Sequence, residues 1–456
     1  MKARRLFLAV AALSAVAAVG PQSAAAMRGM EVAVQDDLLF LHRGAAAGPY
    51  MDRDTAFGKM RAMQGSALRV NVLWTHAVAD DQEHLKRKPR RVRYDWAPYE
   101  SLVDLARGYG VRVQFSLTGP APAWGTPTGE VARGHNRPKA RYYARFVRAV
   151  ARRFKGKVRR YSLWNEPNWS SWLAPQRQAA RRYRRLYQLG YRAIKRADPR
   201  AHVLFGELVP YASKHSIAPL EFVRKVACVD RDYRPTRLAR RNRRASPLSG
   251  KRCAGGSLKA DGFAHHPYEF KRRPRLARRP ARDDVSLGAL GRLTRALDRL
   301  ERSRALVPRR RAWLPLYLTE FGYFRSGARR ISERRRAKWS VEGYRLAQRH
   351  RRVKQLLYYV FVRPPGGTFF DLSLLDWDGR ETRTYRALAR WATAAAAGGQ
   401  IRTPGRKRAG VSDADPPPSP AGQPPPPPPG EEPPEEPPCE ILPGIPCPEV
   451  FPAVSL

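Results

Sequence analysis

Short apolar runs recur along the chain, and most are followed by a stretch with helical spacing. Residues 31–34 alternate and lead into Leu38–Leu41, a first strand region. A helix over 54–64 and a second strand over 67–72 come next. The 94–109 stretch reads as a helix with Leu102, Leu105 and Ala106 on one face, stopped by Gly110. Strand three is expected over 111–117, followed by a helix over 139–154 that turns Tyr143, Phe146, Val147 and Val150 inward. Strand four begins at Tyr161, and a long helix over 176–197 closes at Asp198-Pro199. Strand five covers 202–207, with a helix over 220–226. Strand six and its exit fall in 261–268, then a helix over 287–302 buries Leu290, Leu293, Leu297 and Leu300. Strand seven is Leu316-Tyr317-Leu318. The 332–349 helix is capped by Ser332 with Glu333 in its first turn. Strand eight is expected over 355–361 and a last helix over 384–396.

Alternation of this kind means a parallel sheet with crossover helices. Eight repeats in about 370 residues point to an α/β fold of the closed (β/α)8 (TIM) barrel type, not an open doubly wound sheet. No Gly-rich loop follows the first strand, which speaks against a dinucleotide site. Barrels of this type carry their chemistry at the C-terminal ends of the strands.

The two ends of the chain are of different character. Lys2, Arg4 and Arg5 precede the apolar stretch Leu6–Val19, which is too short to span a bilayer comfortably, and Ala24-Ala25-Ala26 offers small residues for cleavage. This predicts a signal peptide over 1–26, cleaved near Ala26, and a secreted or cell-wall-associated protein with no transmembrane segment. The barrel is expected over 27–400. Residues 401–456 contain Pro416–Pro418, Pro424–Pro429 and the acidic Glu431, Glu432, Glu435 and Glu436, the composition of a disordered, extended spacer.

Charge adds one more constraint. Lys and Arg number 87 against 39 Asp and Glu, a net charge of +48. This is either a solvated surface or one that meets an anionic polymer: acidic polysaccharide, phosphate-rich wall polymer or nucleic acid. Basicity alone does not choose. The four cysteines suit disulfides in an exported protein, and local pairing of Cys228 with Cys253 and Cys439 with Cys447 is the simplest of three connectivities. Their spacing does not match a metal site.

The candidate chemistry lies at two strand ends. Strand four runs into Trp164-Asn165-Glu166-Pro167, and strand seven into Thr319-Glu320-Phe321-Gly322. Paired carboxylates of this sort are what glycoside hydrolysis requires. One acid protonates the leaving oxygen, and one carboxylate attacks the sugar carbon or activates water. The two motifs resemble the signatures of the retaining (β/α)8 glycoside hydrolases of clan A, in particular the β-xylosidase-like family 39 and cellulase-like family 5. The resemblance spans roughly residues 30 to 400 and leaves out the tail.

It implies Glu166 as general acid/base and Glu320 as nucleophile, cleaving O-glycosidic bonds of a β-linked oligo- or polysaccharide by double displacement. Arg69, inside strand two, matches the clan's arginine beside the nucleophile. Tyr268, in His266-Pro267-Tyr268, matches its nucleophile-contacting tyrosine. Asn165 matches the asparagine on the sugar 2-OH. His266 is either a substrate contact or a structural hydrogen-bonder, and Glu207 either touches substrate or forms a rim salt bridge. Trp124 and Trp169, with Trp74, Trp164 and Trp172, are candidate stacking platforms for sugar faces. No metal or organic cofactor is expected, and a monomer is. Nucleic acid is not an expected partner, because paired rim carboxylates repel phosphate. The alternative is a non-catalytic polysaccharide- or polyanion-binding barrel at the cell surface.

Two features depart from the clan. Strand eight ends Tyr359-Val360-Phe361-Val362-Arg363 without the clan's tryptophan, so that either Phe361 substitutes or the subsite differs, and Arg363 is placed to meet an acidic sugar. The basic Cys228–Cys253 insert has no family counterpart.

Overall fold

The computed structural model describes residues 29–41, 50–241, 253, 256–275, 281–309, 312–368 and 370–412, with two short strands at 440–442 and 445–446. Eight parallel strands close into a barrel. They are β1 (Met30–Gln35), β2 (Gly65–Leu73), β3 (Arg112–Thr118), β4 (Arg160–Leu163), β5 (His202–Leu208), β6 (Gly262–His265), β7 (Leu316–Leu318) and β8 (Val353–Tyr359). Each pairs with the next, and β8 returns to β1 with Glu31 opposite Gln355 and Gln35 opposite Tyr359. A helix follows each strand: α1 (Arg53–Ala62), α2 (Ala97–Gly108), α3 (Ala140–Arg153), α4 (Gln176–Ala197), α5 (Pro219–Ala227), α6 (Leu290–Arg302), α7 (Glu333–Arg349) and α8 (Arg383–Ala397).

Side-chain alternation divides every strand between two environments. Val32, Val34, Leu68, Val70, Phe115, Leu117, Tyr161, Phe205, Phe263 and Leu318 join the main apolar core against the helices. Their neighbours point into the barrel. Ala33, Ala67 and Leu357 form one small interior cluster, and Leu204, Ala264 and Tyr317 another. The N-terminal end of the barrel is closed by charge. Glu31 accepts hydrogen bonds from Arg160 and Arg112, and the Arg160 guanidinium lies 4.4 Å from the Tyr317 ring centre.

The structure departs from the expected elements in a few places. Leu38–Leu41 does not extend the first strand. Asp37–Phe40 is a helical turn, with the Asp36 carboxylate accepting from the Leu39 amide at 3.0 Å. Cap chemistry there overrides the apolar run. The helix expected from residue 94 starts at Ala97, and 287–289 is a 3-10 turn before α6. Leu258–Ala260 and Leu306–Pro308 form a small parallel pair outside the barrel that the sequence did not reveal.

Past residue 400 the chain still holds to the barrel. Ile401–Arg402 pairs with Met30 and Glu31 on β1, and the Gly405 amide donates to the Gly110 carbonyl at 2.8 Å. Gly110 is needed twice over. Its φ is +68°, and a Cβ would lie 2.4 Å from the Gly405 carbonyl oxygen. Cys228 and Cys253 are joined by a disulfide. The expected signal peptide, most of the Pro-rich tail and the Cys439–Cys447 pair lie outside the described residues. Among the described residues, no helix is long and apolar enough to cross a membrane.

Candidate active site

Arg69 is the centre of the site. It sits on β2 pointing into the barrel, fully buried, where an unpaired charge would be prohibitively costly. Its guanidinium donates to Glu320 at 3.0 Å, Asn165 Oδ1 at 2.8 Å, Ser116 at 3.2 Å and Glu207 at 3.2 Å, and also to Gln35. One residue therefore ties together β1, β2, β3 and the exits of β4, β5 and β7.

The exit of β4 is locally strained. Trp164 and Glu166 take left-handed φ values of 70° and 38°, on either side of Asn165. The surroundings hold this turn in place. The Trp164 indole donates to the Trp172 carbonyl at 2.8 Å, and the Asn165 amide to Thr118 Oγ1 at 3.0 Å. Asn165 is oriented by Arg69 through its carbonyl oxygen, which leaves its amide nitrogen as the end to meet a ligand.

Glu207 owes its place to an irregularity in β5. Phe205 faces the helices, so strict alternation would send Glu207 the same way. Instead the pairing of β5 with β6 shifts between Gly206 and Leu208, with Gly206 at φ +124° and Glu207 at 55°. A Cβ on Gly206 would lie 2.2 Å from the Ala264 carbonyl oxygen, so only glycine fits. The bulge re-aims Glu207 into the barrel. There it accepts from Arg69, from His266 Nε2 at 2.8 Å and from Thr319 Oγ1 at 2.6 Å. Of the two roles open for Glu207 in the sequence, the structure places it in a buried ion pair.

His266 bridges the carboxylates. Its Nδ1 lies 2.8 Å from Glu166 Oε1 and 3.4 Å from Glu320 Oε2, while Nε2 faces Glu207. Tyr268 donates to Glu320 Oε2 at 2.9 Å, so Glu320 is held by Arg69 on one oxygen and Tyr268 on the other. One oxygen of Glu166, one of Glu320 and a His266 ring nitrogen all lie within 4.8 Å of one another.

The electrostatics separate the acids. Burial pushes the Glu166 carboxyl up from its ordinary range, as does the Glu320 charge, against the pull of His266. Burial acts in the same sense on Glu207, but Arg69 and His266 outweigh it and hold Glu207 down at about 2. Burial opposes a charge on His266, yet Glu320, Glu166 and Glu207 together raise it to about 10. Glu166, His266 and Glu320 are close enough to surround a metal ion. The donor chemistry argues otherwise: an imidazole with a carboxylate on each nitrogen is an imidazolium, and an imidazolium has no lone pair to offer a metal.

The structure thus brings together Glu166, Glu320, Asn165, Arg69, His266 and Tyr268. The tryptophans are another matter. Trp74, Trp124 and Trp164 are almost completely buried, and the Trp124 indole is committed to the Gln82 carbonyl at 3.1 Å and packed edge-on to Trp74. Trp124 is core packing, not a stacking platform. Trp169 and Trp172 are 6% and 7% exposed, in a small cluster with Leu73 and Val209 beside the Glu166 loop. Phe361 is fully buried in the main core and does not take the place of the clan's tryptophan. Tyr359, two residues earlier, points into the barrel and feels the charge of Glu320. The interior alternation Leu357, Tyr359 is the signal that could have found it. Near Tyr359, Phe370, Phe324 and Phe270 make a rim of rings that the sequence reading did not single out. Arg363 reaches toward Asp371, 3.6 Å away.

No protein-family model matches the sequence, and neither does any curated protein. Solved structures do share its fold. One is a family 39 glycoside hydrolase from the gut symbiont Bacteroides cellulosilyticus WH2, with 17% identity and a TM-score of 0.55 over 81% of this chain and 64% of that one. Another is the virulence factor SghA from Agrobacterium tumefaciens, with 12% identity and a TM-score of 0.52 over 81% and 98%. A glucosidase from Croceicoccus marinus matches with 12% identity and a TM-score of 0.50 over 80% and 68%. At these identities the likeness establishes the (β/α)8 fold alone. The chain spans 64% of the length of the Bacteroides protein.

Proposed function

We propose that this chain is a secreted retaining glycoside hydrolase acting on a β-linked oligo- or polysaccharide. The observation that carries the reading is the carboxylate pair: one oxygen of Glu166 and one of Glu320, from the exits of β4 and β7, lie within 4.8 Å of each other. Retaining enzymes hold their two carboxyl groups about 5–5.5 Å apart, and inverting ones about 6.5–9.5 Å, to leave room for water. The short approach supports double displacement. The shared barrel fold, and the hydrolase and glucosidase names of structures that have it, support the same class.

In this reading Glu320 attacks the anomeric carbon while Glu166 gives its proton to the departing oxygen. The glycosyl–Glu320 ester is then opened by water, from which Glu166, now a carboxylate, removes a proton. Burial keeps Glu166 protonated to higher pH than an ordinary glutamate, as the first step needs. Arg69 and Tyr268 aim Glu320, and the Asn165 amide is free for the 2-OH of the sugar. An exported, cell-exterior setting belongs to this reading, on the strength of Lys2, Arg4 and Arg5 before the apolar Leu6–Val19.

The test is a panel of aryl β-glycosides followed by NMR. The expected first-formed product has the substrate's β configuration. Glu320→Gln should abolish turnover while keeping glycan binding. Glu166→Ala should cost roughly 10²–10⁴-fold on glycosides with poor leaving groups and far less on nitrophenyl glycosides, which need no acid. An α product first means inversion. No turnover on any glycan, with binding intact and indifferent to Glu320, means a barrel that only binds.

A further inference from the structure

Helices α3 and α4 pack side by side, and the groove between their outer faces is lined by cations. Arg141, Arg145 and Arg148 stand along α3, and Arg182, Arg185, Arg192 and Arg196 along α4. Two adjoining hollows of about 700 and 620 Å³ share Arg141, Tyr142 and Arg145 and form one continuous trough. No carboxylate lines either part. From Arg182 to Arg196 it runs about 21 Å at the helical rise.

Some surface arginines and lysines elsewhere find acids: Arg153 pairs with Glu100, Lys157 with Asp104, and Arg273 and Arg275 with Glu342. Arg141, Arg145, Arg148, Arg192 and Arg196 have no ion pair among the described residues. They are exposed and mutually repulsive. Burial, then the charges of Arg181, Arg137 and Arg185, bring the Arg182 guanidinium down to about 10. A bound polyanion relieves that crowding.

The upper end of the trough is formed by Arg137, Pro138 and Lys139, on the loop after β3. That loop is joined to the one carrying Glu166: Asn136 bridges Ala174, and the Arg137 amide donates to the Ala174 carbonyl at 3.0 Å. The trough therefore leads to the face of the barrel that holds Glu166 and Glu320.

We infer that the α3–α4 trough binds a carboxylated, uronate-bearing polysaccharide strand and feeds it to the catalytic face. The inference rests on the glycoside hydrolase reading above and names its substrate class. Guanidinium forks match carboxylates two N–H groups at a time. A single-stranded nucleic acid would need open ring faces for its bases. The rings lining the trough are already engaged: Trp124 is buried, Tyr94 stacks on Trp96 at 4.8 Å, and Lys139 and Arg145 sit over the Tyr142 ring at 5.7 and 5.8 Å. A flat membrane does not enter a concave groove.

The experiment uses the full chain carrying Glu320→Gln, so that turnover cannot confuse binding, with and without the exposed triple change Arg145→Ala, Arg148→Ala, Arg192→Ala. Both are titrated with polygalacturonate oligomers, a neutral xylan oligomer and single-stranded DNA at several salt concentrations. The expected result is salt-sensitive binding of the polyuronate that the triple change weakens roughly tenfold or more, since even one lost charge-assisted contact is worth about that. In the otherwise wild-type enzyme, the triple change should leave turnover of a small aryl glycoside unaltered and raise KM for the carboxylated polymer. Equal polyuronate binding by both proteins overturns the inference. So does tighter binding of DNA than of polyuronate at the same salt. Binding that appears only when the chain is ended after residue 412 also overturns it, and assigns the trough to the chain's own acidic tail. If the wild type hydrolyses no glycoside, the catalytic reading fails, while the binding comparison still decides the trough.

Discussion

Glu207 shows how a single residue can hold a site together without touching the reacting atoms. It is the counter-charge for both Arg69 and His266, and it is fully buried. Replacing it with Gln keeps the shape and removes the charge, leaving two buried cations with one fewer partner. The expected cost is about 3 kcal/mol or more in unfolding free energy, because breaking a buried pair strands the other charge. Denaturant unfolding of Glu207→Gln against the parent checks it, and an unchanged midpoint would contradict the role. His266 should also titrate lower in this variant, visible by NMR as an imidazolium resonance lost below pH 10. The pair Glu166 and Glu320 was legible from residue type and strand position, and their partners Arg69 and Tyr268 through the resemblance to clan A. Glu207 was not, because its direction depends on a one-residue bulge that no periodicity announces. Trp124 shows the opposite difficulty. A ring near a strand end satisfies the pattern for packing as well as for stacking, and Trp124 packs.

At the scale of elements, the loops after β7 and β8 are tied down by one side chain of α7. Arg336 is fully buried and donates to the carbonyls of Tyr323 at 3.1 Å, Leu372 at 3.0 Å and Ser373 at 2.8 Å. These loops flank Glu320 and carry Phe324 and Phe370. Arg336→Met fills much of the volume but leaves three carbonyls without that donor. Each unsatisfied buried group costs about 1–3 kcal/mol, so a loss of several kcal/mol is expected. Lysine should rescue only in part, since an ammonium cannot span three acceptors in a planar fork. Faster proteolysis within 322–326 or 370–376 would report the freed loops, and an unchanged digestion pattern would contradict the role. The helix itself was evident from Ser332 and its spacing. Which of its arginines turns inward was not, because an arginine on the buried face reads like any other until the carbonyls it meets are known. The 38–41 turn makes the same point: Asp36 caps a helix there, and an apolar run beside a good cap is ambiguous between strand and helix.

For the molecule as a whole, the barrel is held at both ends by charge. At the N-terminal end Glu31 is buried among Arg160, Arg112 and Arg402. Burial alone would raise it, but these cations hold it at about 2, from an ordinary 4.5. A group whose pKa is depressed on folding stabilises the fold above its unfolded pKa and loses that contribution as pH falls through the folded one. The window therefore runs from pH 4.5 down to about 2, and the contribution is about 3 kcal/mol. Lowering the pH also strips negative charge from a chain already at +48, so general repulsion will weaken the protein in the same range. The two effects separate by comparison with Glu31→Gln, which shares the repulsion and lacks the titrating group. Denaturant unfolding of both proteins from pH 7 to pH 2.5 should show a parent advantage that is constant down to about pH 5 and then shrinks. A gap that stays constant throughout would mean that the Glu31 carboxyl binds its proton alike in the folded and unfolded chain, and that its pairing with the three arginines adds nothing to stability.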